Sequence, residues 1–107
     1  MASGRLYTPT QVGTSNTTIY LVPTGSYAVF NVSLTNTSTS AVTIKLAIAS
    51  TSSPGTAEWI EYDTTIVGKG VFERAGLVAG AGLYIVATAS TGSVINATVY
   101  GIETSTA

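Results

Sequence analysis

The residues of this chain best placed to do chemistry form the run Glu58-Trp59-Ile60-Glu61-Tyr62-Asp63. Paired carboxylates beside aromatic rings are the equipment of glycoside hydrolysis, where one carboxyl protonates the leaving oxygen and the other attacks or activates water. Successive strand residues point to opposite faces, so on a strand Glu61 and Asp63 share one face and Glu58 takes the other. Only two carboxylates can then converge. The same pair falls short of the roughly six to eight oxygens that calcium takes. Solvated charges on an exposed strand, with Ile60 inward, are the preferred account, and no hydrolase activity is expected. Trp59 and Tyr62 also suit a carbohydrate-binding adhesin module, since such rings offer apolar area with a polar edge.

Other chemistry is scarce. The chain has no His and no Cys, which excludes Ser–His and Cys–His nucleophiles and zinc sites. No catalytic residue, metal ligand or cofactor site is assigned. Gly68-Lys69-Gly70 and the stretch Gly76 to Gly82 are rich in glycine, but a phosphate cradle opens a helix and no helical pattern follows either, so these are turns. Asn16, Asn31, Asn36 and Asn96 each begin an Asn-X-Ser/Thr triplet, a pattern that Ser/Thr enrichment produces by chance. The four cations Arg5, Lys45, Lys69 and Arg74 are scattered along the chain, and phosphate backbones need them clustered, so nucleic acid is not an expected partner. The N-terminus lacks an apolar signal core and no later run approaches the roughly 18 apolar residues of a span. The expectation is a chain whose mature form starts near Met1, made in a cytosol, with no membrane partner.

The elements that must position these residues are strands. At 107 residues the chain fits one domain, 1–107, with one core. Its apolar fraction is 45% and its net charge −1, while charged residues make up only 8%, about a third of the roughly 25% usual in soluble domains. Period-two patterning recurs between Gly, Pro and Ser/Thr breaks. Phe30, Val32 and Leu34 face one side of a strand; Val42, Ile44, Leu46 and Ile48 repeat the device. The short polar stretch Asn36–Ser40 between them predicts an antiparallel hairpin. Further strands are expected at Thr17–Val22, Glu58–Tyr62, Val71–Leu77, Leu83–Val86 and Ile95–Ile102, with an edge or extended segment within residues 1–13 and a short tail at 104–107. Seven to eight short strands predict an all-β fold, a single small antiparallel sandwich of Ig-like or jelly-roll type.

Both faces of the last strands are apolar. Tyr84 and Val86 lie opposite Leu83 and Ile85, and Tyr100 and Ile102 opposite Ala97 and Val99. A thin sandwich leaves one such face wet, so a neighbouring copy is the expected cover. Sparse charge favours association in the same way. Tyr84, Val86, Tyr100 and Ile102 are therefore the candidate interface, with Arg74 as an anchor because Arg is enriched at such surfaces. Arg74 and its neighbour Glu73 point to opposite faces, so each needs a partner elsewhere.

Several strings carry a family resemblance: Tyr20-Leu-Val-Pro23, Ala28-Val-Phe-Asn31-Val-Ser-Leu-Thr-Asn36, Trp59-Ile-Glu61-Tyr62, Phe72-Glu73-Arg74-Ala-Gly76-Leu77 and Val99-Tyr-Gly101-Ile-Glu103. From about Leu6 to Glu103 the chain resembles the small virion structural proteins of tailed bacteriophages. The resemblance implies an Ig-like or jelly-roll domain attached to the outside of a capsid or tail, commonly as a homotrimer, with the major capsid protein or other virion proteins as partners. The expected role is a capsid decoration or cement protein located in the virion and assembled in the host cytoplasm, or else a tail or baseplate component. No functional residues transfer with it.

Overall fold

The computed structural model describes residues 2–105. Nine strands follow one another: β1 (Ala2–Arg5), β2 (Thr10–Val12), β3 (Thr17–Leu21), β4 (Ser26–Asn36), β5 (Val42–Ala49), β6 (Trp59–Ile66), β7 (Val71–Ala79), β8 (Tyr84–Ala89) and β9 (Ile95–Ser105). A 3-10 turn, Thr56–Glu58, precedes β6. The strands form two antiparallel sheets packed as a β-sandwich. One, sheet A, has the order β1-β9-β4-β7 with β2 also paired to β9; the other, sheet B, runs β3-β8-β5-β6.

Alternation builds the core. Ala28, Phe30, Val32 and Leu34 of β4 are buried, as are Val42, Ile44 and Leu46 of β5, and Ile48 packs against them partly buried. Ile85, Ala87 and Ala89 of β8 and Ile95, Ala97 and Val99 of β9 complete the two inner faces. Each fully buried large aliphatic or aromatic side chain contributes about 1.5–3 kcal/mol relative to exposure. The core is thus one layer shared by both sheets.

The expected hairpin of β4 with β5 does not form. β4 pairs with β7 and β9, whereas β5 pairs with β6 and β8, so residues 37–41 cross from one sheet to the other. Loop length could not discriminate, because five residues reach up to about 16–18 Å and the sheets lie only about 10 Å apart. Asn36 decides it. Its fully buried amide lies within hydrogen-bond distance of the carbonyls of Ser40 (2.8 Å), Ile66 (3.1 Å) and Val67 (3.2 Å), and its Oδ1 accepts from the Ser38 amide and hydroxyl. Those bonds tie the end of β4 to the end of β6 in the opposite sheet. Gly68 completes the corner, since a Cβ there would overlap the Thr39 carbonyl.

The ends of the chain also pair further than expected. β1 and β2 both run along β9, and Thr104 and Ser105 pair with Tyr27 and Ser26 as part of β9. Of the expected tail, 106–107 lies outside the described residues. Gly101 allows β9 to lie close on β4, because a Cβ there would meet the Val29 carbonyl and the Phe30 Cα. Two further side-chain ties join the sheets. The hydroxyl of fully buried Tyr20 on β3 donates to Glu103 Oε2 on β9 at 2.5 Å, and Arg74 on β7 donates to Glu61 on β6.

Candidate functional site

The three carboxylates of the acidic run go to three different places. Glu58 sits in the 3-10 turn rather than on a strand, and its oxygens accept from the backbone amides of Gly55 (2.8 Å) and Ser50 (3.0 Å). Those donors, Gly55 first, hold its carboxyl below the ordinary value. Glu61 turns to the side of the sandwich, where it accepts from Arg74 and from the Thr64 hydroxyl. Asp63 faces outward, 3.7 Å from Lys45 Nζ. The expectation that Glu61 and Asp63 share a face therefore fails. Asp63 has φ 58°, a left-handed conformation that breaks the strand's alternation, and the β5–β6 register shifts on both sides of Leu46. A bulge of this kind re-aims side chains. No carboxylate pair converges, and among the described residues no group of three or more Asp or Glu is placed to hold a metal ion.

What converges instead is an aromatic and charged group on the outer face of sheet B. Trp59 and Tyr62 meet edge to face with ring centroids 6.0 Å apart. Lys45 Nζ lies 4.5 Å from the Tyr62 centroid, so one ammonium serves both Tyr62 and Asp63. Tyr62 is 63% exposed. An open cleft of about 250 Å³ beside it is lined by Lys45, Asp63, Thr14, Thr43, Thr88 and Ser90.

The candidate interface residues divide between the two outer faces. Tyr84 and Val86 lie on β8 in sheet B, and Tyr100 and Ile102 on β9 in sheet A. They do not form a single surface. Val86 is fully buried and offers no area to a partner, although it points away from the core. Across the sheet it stands opposite Ala47, which stands opposite Trp59, a methyl group between two larger side chains. Arg74 is engaged within the chain by Glu61. Glu73 finds its partner across the sheet: the Tyr100 hydroxyl donates to it at 2.7 Å, and that bond raises the Tyr100 phenol above its ordinary value.

Ile102 belongs to a row that the sequence reading missed. It stands opposite Val29 on β4, and Val29 stands opposite Val78 on β7. These three are 49%, 46% and 62% exposed, and Tyr27 is exposed on the same side of β4. A signal was available: Leu77-Val78-Ala79 is an unbroken apolar run, the mark of a strand with two apolar faces. The same face carries Arg5 on β1, opposite Tyr100, and Glu73 on β7. Among the Asn-X-Ser/Thr asparagines, buried Asn36 is occupied by its own hydrogen bonds. No helix among the described residues is long and apolar enough to cross a membrane. No family model matches this chain, and comparison with curated proteins and with solved structures found no match.

Proposed function

We propose that this chain is a non-enzymatic virion structural protein: a capsid decoration or cement protein that binds a phage coat lattice as a homo-oligomer, a homotrimer by the family resemblance. The observation that carries the assembly part is the exposed row Val78, Val29, Ile102 on three adjacent strands of sheet A. Contiguous apolar surface of this kind marks interaction sites on otherwise soluble domains. Four strands about 4.8 Å apart and about eight residues long make a face of roughly 500 Å². Covered by an equal area of partner surface, it approaches the roughly 1,000 Å² of a specific interface.

Charge supports the same reading. Arg5 and Glu73 sit on opposite flanks of the face, so a second copy can set its anion against the first copy's cation. Burial of the row stabilises the assembled state by mass action, because only the folded chain presents it. The absence of turnover is supported by the carboxylates, each of which is held by its own partner away from the others.

The test is sedimentation velocity of the parent and of the double variant Val29→Asp, Ile102→Asp, together with occupancy on expanded capsids. The parent should sediment above monomer mass and decorate particles. The variant should be monomeric, with an unchanged circular dichroism spectrum. A monomeric parent, or a double variant that decorates as well, refutes the proposal.

A further inference from the structure

We infer that the outer face of sheet B carries a binding site for an uncharged carbohydrate, built from Trp59, Tyr62, Lys45 and Asp63. This site is separate from the sheet A face and does not depend on the assembly proposal. Regular alternation would send Tyr62 and Asp63 to opposite sides of β6. Instead both are exposed and both meet Lys45, because Asp63 adopts φ 58° and the β5–β6 register slips beside it. Backbone irregularity retained in a strand, next to an exposed aromatic ring, is the kind of local strain that gathers at ligand sites.

The chemistry points to a sugar. Trp59 and Tyr62, with Thr56, line an open recess of about 480 Å³, where the apolar C–H face of a pyranose can lie against an aromatic ring. Lys45 lies over the Tyr62 ring, yet Tyr62 remains largely exposed, so ring area is left for a ligand. Sugar hydroxyls both donate and accept, and the adjoining cleft offers both through the Lys45 ammonium and the Asp63 carboxylate, with threonine and serine residues along its lining. Lys45 and Asp63 neutralise each other at 3.7 Å, so neither an anionic nor a cationic ligand is favoured.

Trp59 is the chain's one tryptophan, so its emission reports on this site alone. The full chain is titrated with maltohexaose, cellohexaose, mannohexaose and tri-N-acetylchitotriose, with polygalacturonate and a proline-rich peptide as competitors in class, and binding is checked by saturation-transfer NMR. At least one neutral oligosaccharide should shift the emission saturably, with a Kd of about 0.1–1 mM. Tyr62→Ala and Asp63→Asn should each weaken it by about tenfold or more. Asn tolerates the left-handed conformation as Asp does, so Asp63→Asn tests the carboxylate without disturbing the bulge; Lys45→Gln serves the same end if Tyr62→Ala does not fold. No neutral sugar acting below about 10 mM, a response only to polygalacturonate or to the peptide, or parental affinity in both Asp63→Asn and Lys45→Gln overturns the inference.

Discussion

The two outer faces of this sandwich obey different rules. Sheet A is built on two strands of 11 residues, β4 and β9, paired in unbroken register from Ser26–Ser105 to Asn36–Ile95. Its irregularity lies at the edge, where β7 carries an extra residue beside Gly76. Outward residues there stand in straight rows, and one row is apolar across β9, β4 and β7. Sheet B shifts register in both its β3–β8 and its β5–β6 pairs. Its outward residues are gathered out of sequence order into an aromatic and charged group. A regular pleat makes a surface that matches another extended surface, whereas a broken pleat brings unlike side chains together at one place.

The largest expected effects lie where the two faces do not differ, in their common core. Leu46→Ala in sheet B should cost about 2–5 kcal/mol and Phe30→Ala in sheet A about 3–5 kcal/mol, measured by denaturant unfolding. If either costs less than about 0.5 kcal/mol, the two sheets do not share one core.

Next come the polar ties between the sheets. Tyr20→Phe should cost about 1–2 kcal/mol by removing the donor to Glu103. Burial first, and then the Glu103 bond and charge, raise the Tyr20 phenol above its ordinary value. The unfolded chain releases this proton near pH 10, while the folded chain keeps it. Above that pH the folded state binds more protons, so stability falls as pH rises and is fully present below about pH 10. Tyr20→Phe should flatten that alkaline slope in thermal melts taken between neutral and high pH; an unchanged slope would place the hydroxyl outside the tie.

Arg74→Ala should cost about 1 kcal/mol. Its side chain is 39% exposed and that of Glu61 21%, so solvent screens part of the attraction. A cost several times larger would mean that the side of the sandwich depends on this pair as much as its corners depend on Asn36. The smallest effect on folding should come from the outer row: Val29→Thr and Val78→Thr should each change unfolding free energy by less than about 0.5 kcal/mol while lowering self-association. Equal loss of both quantities would show that the row belongs to the fold and not to a contact surface.

Much of the fold follows from residue order alone. Alternation in Phe30 to Leu34 and Val42 to Ile48 identifies inner-face residues, because a strand's period of two leaves no other way to bury them together. Absence of His and Cys removes whole classes of site. Sparse charge and two-sided apolar strands point to association. Partner choice is another matter. The matched apolar faces of β4 and β5 meet across the core and not side by side, and the linking segment is long enough for either arrangement. The crossing is held by contacts such as the buried amide of Asn36, which reaches carbonyls some 30 residues away.

The candidate sites divide in the same way. Tyr62, Asp63, Tyr100 and Ile102 can be singled out by residue type, yet their grouping cannot. Strict alternation puts Glu61 with Asp63 and makes Val86 a surface residue. A single left-handed residue at Asp63 re-aims the first pair, and the row Val86, Ala47, Trp59 closes over the second. Local pattern sets which side of a strand a residue prefers, because that depends on the pleat. Which side chains become neighbours depends on strand order, bulges and inter-sheet crossings, and these arise from contacts between residues far apart in the chain, which only the assembled tertiary structure brings within reach.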